Sequence, residues 1–302
     1  MCAGTSFCRR PSASPMKTYL ECVPCLVRQT IDTARQVSDD PTMHDSIMRE
    51  ALSTIARADL SLPPPVLGGV IQRIARVTTG NDDPYRAAKQ ACNRIALTMY
   101  PELEQRVLAS RDPLETALRL AVAGNIIDFA VHATVETARI TESIEECLTA
   151  PISAQVLSNF RASLERARDI LYLGDNAGEI VFDRLLVEQL PMEKTAFVVK
   201  GRPVINDVTR EDAQVAGIND LVEVLDNGSD IPGTVLSDCS ASFRSRFEDA
   251  DLIISKGQGN YESLSDHEHE IFFVFRAKCQ PIAIDTGAPV GSIVFRHRPR
   301  PV

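Results

Sequence analysis

From residue 17 to about 165, apolar positions recur at the three-to-four-residue spacing of amphipathic helices. In "CLVRQTIDTARQV", Leu26, Val27, Ile31 and Ala34 share one face; in "SIMREALSTIA", Ile47, Met48, Ala51, Leu52 and Ile55 do the same. The stretch "DPYRAAKQACNRIAL" opens with Asp83 placed to cap a helix and Pro84 in a first-turn position. Further helices are predicted from about 113 to 138 and 152 to 168, with Pro101, Pro113 and Pro151 as punctuation. Past residue 165 the period changes. Short apolar runs, "ILYLG", "TAFVVK", "LVEVL", "DLIIS" and "PIAID", are predicted as strands and alternate with helical segments. The expected class is α/β: an all-helical N-terminal domain (16–165) followed by an α/β domain (166–302) with a largely parallel sheet.

Composition narrows the function. The chain has 302 residues, 44% hydrophobic and 24% charged, as ordinary globular proteins do. A net charge of -9 argues against a nucleic-acid partner. No apolar run approaches the roughly 20 residues that cross a bilayer, so no membrane partner is expected. The opening "MCAGTSFCRRPSASP" has no apolar core and reads as a disordered leader over 1–15, which makes the expected location cytoplasmic. Six of the eight cysteines are scattered; only Cys22 and Cys25, in "ECVPC", have a spacing that could matter. No second Cys-x-x-Cys or His pair follows at zinc spacing, and Pro24 between them suits the first turn of a helix. A structural role and a redox or cleft-facing role both stay open for them.

Ligands of a parallel sheet bind at the carboxyl ends of its strands. The first strand runs into Gly174-Asp175-Asn176-Ala177-Gly178-Glu179 and the second into "KGRPVINDVTREDA", with Asn206, Asp207 and Thr209. The "DLIIS" strand ends in Lys256, Gly257, Gly259, Asn260 and Tyr261. Asp and Asn oxygens suit Mg²⁺ or Mn²⁺, and such sites keep positions open for water and phosphate oxygens. A lysine at a strand end would stabilise the added negative charge of a phosphoryl transition state. Each piece also has a plain reading, as a helix cap or a surface turn. Two further readings compete: a methyltransferase cradling S-adenosylmethionine, and a metal or metabolite sensor without catalysis. The first expects a ribose-binding acid at the end of the second strand, where this chain has "VVKGRP".

"GDNAGEIVFD", "KGRPVINDVTREDA" and "SKGQGNYESL", in this order, resemble the signature of the damage-control phosphatases, metal-dependent hydrolases first catalogued as a domain of unknown function. "ECVPCLVRQ", "DPYRAAK" and "AGNIIDF" resemble the subgroup with an N-terminal Cys pair. The similarity spans roughly Met16 to His297. It implies a helical domain packed on a three-layer α/β sandwich, with the active site between them. By position it implies Asp175, Asn176 and Asp207 as metal ligands, for Mn, Mg, Co or Ni. Asn260 and its glycine neighbours match a substrate-contacting loop, Lys278 in "FRAKCQPIA" a phosphate-binding lysine before a strand, and Asn125 and Asp128 cleft residues of the helical domain. The implied activity is hydrolysis of small phosphate monoesters, such as sugar phosphates or phosphopantetheine-like metabolites.

Water activated by the metal is the favoured nucleophile, because the Asp-x-Asp of aspartyl phosphatases is missing: Asn176 and Ala177 follow Asp175. Two acids compete for the third ligand position. In a helix starting at about Asp207, Asp212 points about 140° away, so only one faces the cation. Asp207, nearer the strand end, is the expected ligand.

Overall fold

The computed structural model describes residues 16–124 and 137–300, without the side chains of 137–139. The expected leader, Asn125 and Asp128 lie outside the described residues. Among the described residues the chain forms α1 (Cys22–Val37), α2 (Pro41–Ala56), α3 (Pro64–Thr79), α4 (Arg86–Leu108), α5 (Pro113–Ala123), α6 (Thr137–Thr149) and α7 (Ala154–Arg166). Then come β1 (Ile170–Leu173), α8 (Glu179–Val187), β2 (Thr195–Val199), α9 (Arg210–Val215), β3 (Glu223–Asp226) and α10 (Ala241–Asp249). β4 (Leu252–Lys256), α11 (Gln258–Leu264), β5 (Ile271–Arg276), α12 (Gln280–Thr286) and β6 (Ile293–Arg298) complete the fold. None of the described helices is long and apolar enough to cross a membrane.

The helix ends follow local chemistry. Asp40 Oδ1 accepts from Thr42 N at 2.9 Å to open α2, and Asp112 Oδ1 accepts from Glu115 N at 3.1 Å to open α5. Two helical expectations need correcting. α4 starts at Arg86 behind Tyr85, two residues later than an Asp83 cap would set it, because the Asp83 carboxylate instead pairs with the buried Lys89 at 3.0 Å. Pro101 sits inside α4 rather than ending it. Tyr100, Leu103 and Val107 continue one buried face through it, and their burial outweighs a proline penalty of about 3 kcal/mol.

The sheet order is β3-β2-β1-β4-β5-β6, parallel except for β6, which runs antiparallel to β5. Alternate strand residues feed two cores. Ile170, Tyr172, Phe197, Ile254 and Phe272 join one with α4 to α8; Leu171, Val198, Ile253 and Phe273 join the other with Phe243, Phe247 and Ile282. Burial on both faces is why the central strands read as continuous apolar runs. The result is the three-layer α/β architecture expected. The apolar core runs unbroken across residue 165, since Leu118, Phe160 and Tyr172 belong to one cluster. Among the described residues, α1, α2 and α3 keep small cores of their own.

"PIAID" is not a strand. It lies in α12, with Pro281 in the first turn and Gly287 in the left-handed region at its end, φ 71°. A five-residue apolar run cannot by itself separate helix from strand, and those two residues are the punctuation of a helix. The fifth and sixth strands are "IFFVFR" and "IVFRHR" instead.

Candidate active site

Strand order reverses between β1 and β4, which are paired neighbours; this switch point is where open α/β sheets leave a crevice for ligands. The loops after β1 and β2 are stitched together there. Val208 N donates to Asp175 O and Ala177 N donates to Asn206 O, both at 2.9 Å, which brackets Asn176 and Asp207 as an isolated antiparallel pair. In a pair bracketed this way the two side chains rise on one side, from Cα atoms about 4.5 Å apart. A main-chain pairing thus delivers Asp207 to Asn176.

The turn after β4 completes the corner. Gly257 adopts φ 79°, ψ 157°, a region only glycine occupies readily. A Cβ built there would lie 2.0 Å from Cγ of Asp175, so the main chain rests directly against that carboxylate. Asn260 fixes the turn: its Nδ2 donates to Lys256 O at 2.7 Å and Gly174 O at 3.2 Å, while its Oδ1 accepts from Thr234 at 2.7 Å.

Asp175, Asn176 and Asp207 are all buried. Asn176 Nδ2 donates to Asp175 Oδ2 at 2.7 Å and to Glu179 Oε2 at 3.1 Å, and Lys200 Nζ stands 3.4 Å from Asp207. Burial, then the negative charges of Glu179 and Asp207, hold the Asp175 carboxyl well above the usual carboxylate range, against the opposing pull of Lys278 and Lys256. Beneath them Lys256 Nζ is fully enclosed by Asp183 at 2.5 Å, Glu179 at 2.6 Å and Ala121 O at 2.7 Å. Burial lifts Asp183 to about 7 despite Lys256 beside it. Four buried acids, Asp175, Glu179, Asp183 and Asp207, thus share two buried lysines, Lys200 and Lys256.

The structure brings Asp175, Asn176 and Asp207 together and places the other expected site residues around them. Lys256, Asn260 and Tyr261, expected at the substrate, spend their polar groups on the protein. Tyr261 packs on Phe273 and Phe275 in the opposite core and donates to Asp285 at 2.5 Å. Gly259 backs onto Gly233 and lines a cavity of about 380 Å³. Lys278 is exposed at that cavity and follows β5, ahead of α12 rather than a strand.

Asp212 stays out of the centre, as expected. α9 begins at Arg210, not at Asp207, because Thr209 and Asp212 cap it reciprocally; Asp212 Oδ2 accepts from Thr209 N at 2.9 Å. Asn93 donates to its other oxygen at 2.8 Å. No motif in the sequence assigns a role to Glu179, Asp183 or Lys200, which also belong to this corner. Glu179 and Asp183 stand four apart on α8, one turn, which was the available signal. Ile205 had none: it holds φ 46° on the cavity wall, a strained backbone for a β-branched residue.

Residues 18–294 match the sequence model of the damage-control phosphatase ARMT1-like domain. The chain belongs to this family. Its relatives include a damage-control phosphatase of Archaeoglobus fulgidus, 34% identical over 93% of this chain and 99% of that one. A damage-control phosphatase of Pyrococcus horikoshii is 32% identical over 92% of this chain and 97% of its own length. The crystal structure of a DUF89 family protein from Pyrococcus horikoshii superposes with a TM-score of 0.84 at 30% identity, covering 93% of this chain and 99% of that one. Family membership supports a phosphatase role in metabolite damage control.

Proposed function

We propose that the chain is a metal-dependent phosphomonoesterase acting on small phosphorylated metabolites at the β1/β4 crevice. One observation carries the reading: the paired loops and Gly257 gather Asp175, Asn176 and Asp207 into one buried corner whose acids outnumber its lysines by two. Among the described residues no three His, Cys, Asp or Glu side chains group as a metal site. Two carboxylates and an amide are the donors here, and this partial oxygen set fits Mg²⁺ or Mn²⁺, with Co²⁺ and Ni²⁺ as alternatives, while leaving room for water and phosphate. A divalent cation would supply charge neutralisation and a lowered pKa for its water.

The chain's own groups do the rest. Asp175, Asn176 and Asp207 would hold the cation. Lys278, exposed at the cavity, would meet the phosphoryl oxygens and favour their charge in the transition state. Lys256 keeps Glu179 and Asp183 paired, and so holds the floor under Asp175 rigid. Gly257 excludes any side chain from the space against Asp175. Water is the nucleophile in this reading, since Asp175 Oδ2 is already held by Asn176 at 2.7 Å.

The test is phosphate release from a panel of metabolite monoesters, each with Mg²⁺, Mn²⁺, Co²⁺ and Ni²⁺. Multiple turnovers separate an enzyme from a binding protein that uses the same pocket. Release at or below one phosphate per chain with every pair would overturn the proposal.

A further inference from the structure

The cavity beside the acids is built unlike the acids themselves. Its walls include Leu26, Pro64, Pro65, Ile205, Pro232 and Pro281, brought from five separate segments of the chain. At about 380 Å³ it sits at the small end of ligand pockets. The turn after β4 joins it to the reaction centre, because Gln258 and Gly259 on its wall directly follow Gly257, which rests against Asp175. Among its described lining residues Lys278 is the sole cation.

Beside Lys278, the cavity's polar lining comes from Glu21, Gln29, Gln258, Glu262 and three cysteines, of which Gln258, Glu262 and Cys279 are engaged with one another. Gln258 donates to Glu262 at 2.8 Å and to Cys279 Sγ at 3.5 Å, and it accepts from Lys278 N at 2.9 Å. Glu21 and Glu262, the acids on this wall, would repel an anionic substituent. Burying hydroxyls against proline and leucine without partners is unfavourable, and a second anion would find no second cation. We infer that this cavity takes the alcohol half of the substrate and selects phosphate monoesters whose organic part is uncharged and largely apolar, over polyhydroxylated sugars and esters with a second acid group. The assignment rests on the phosphatase reading above.

Gly68 of α3 gives the means to test it. It lines the cavity, and a Cβ there would meet only Gln29 Oε1 at 3.4 Å and Pro232 Cγ at 3.8 Å, ordinary contacts. Gly68→Ala is therefore tolerated, and Gly68→Leu projects further into the space. The experiment compares ethyl, butyl and hexyl phosphate, 6-phosphohexanoate and a hexose monophosphate by steady-state kinetics with the supporting metal. In parallel, calorimetry measures ethyl- and hexylphosphonate binding to the metal-loaded protein. The wild type should gain at least tenfold in kcat/KM from ethyl to hexyl, mostly through KM, the scale of methylene discrimination in an apolar pocket. The ω-carboxylate and the sugar ester should fall at least tenfold below hexyl phosphate, and hexylphosphonate should bind at least tenfold tighter than ethylphosphonate. In Gly68→Leu the hexyl-to-ethyl ratio should collapse towards one, with Gly68→Ala in between. A flat phosphonate series, or a preference for the sugar ester, overturns the inference while leaving the phosphatase reading intact. A graded phosphonate series without any turnover supports the cavity assignment and overturns the phosphatase reading.

Discussion

Gly257→Ala removes nothing from the protein, yet it should disable the site. The added methyl would start 2.0 Å from Cγ of Asp175, whereas ordinary contact begins at 3.4 Å, so the carboxylate or the turn must move by roughly 1.4 Å. Displacing a reacting group by about 1 Å costs on the order of a hundredfold in rate. Holding alanine at φ 79°, ψ 157° adds about 1–3 kcal/mol of backbone strain. Gly257→Ala should therefore lower kcat/KM about a hundredfold, weaken metal binding and cut stability by about 1–3 kcal/mol. The assays are phosphate release, metal titration by calorimetry and urea unfolding of metal-free protein. Gly80→Ala is the control: its φ is 67°, but a Cβ there meets nothing within 4 Å, so it carries backbone strain alone. It should lose stability and keep activity. Gly257→Ala with activity within threefold of wild type would refute the idea that this main-chain contact positions Asp175.

Asp207→Ala should abolish metal binding and turnover and cost about 3–5 kcal/mol in urea unfolding, since it leaves the buried Lys200 without its acid; retained metal affinity would move the site elsewhere. Asp212→Ala should leave metal binding intact but cost about 2–4 kcal/mol in urea unfolding, since it breaks the α9 cap and strips a partner from the buried Lys89. Lys256→Met leaves Glu179 and Asp183 buried without their cation and should cost about 3–5 kcal/mol by the same measurement. Metal affinity should rise with pH, by up to tenfold per unit, because the raised Asp175 carboxyl must lose its proton to bind; a flat profile by calorimetry would contradict the direction of its shift. Metal-free stability should run the opposite way. Asp183 is lifted from 3.8 to about 7, so the folded state holds a proton there that the unfolded chain releases; stability is full below pH 4 and falls as pH rises towards 7.

The centre was legible in the sequence because it is local. Asp175 and Asn176 leave a strand that reads clearly, and Asp207 follows the next strand, so the rule about strand ends reaches all three. The outer residues were not legible for a definite reason. Lys256 ends β4, and Asn260 and Tyr261 come four and five residues after it, yet only the fold decides which of them turns outwards. Tyr261 lies four residues past Gly257, one helical turn along α11, and by then points into the opposite core. The cavity was invisible because Leu26, Pro64, Ile205 and Pro281 are brought together only by docking of the α1–α3 unit. That docking itself uses Arg73, whose Nε donates to Asp230 at 2.9 Å, and Arg76, whose guanidinium donates to Pro203 O at 2.5 Å.

Charge accounting explains the division of labour among the three lysines at or just past strand ends. Lys256 ends β4, and Lys200 and Lys278 come just after β2 and β5, so spacing alone gives each a claim on a phosphoryl group. A buried ammonium is tolerated only beside acids, and Lys200 and Lys256 have theirs in Asp207 and in Glu179 with Asp183. Moving either towards a phosphate would strand a buried carboxylate, at several kcal/mol. Lys278 alone of the three is exposed, so it can approach a phosphoryl oxygen without that penalty. The same accounting bears on the cation. With two lysines set against four acids, the corner keeps a formal excess of two negative charges, which raised carboxyls at Asp175 and Asp183 relieve in the metal-free protein. A divalent cation would relieve it instead, and the protons held there would then be the ones its binding expels.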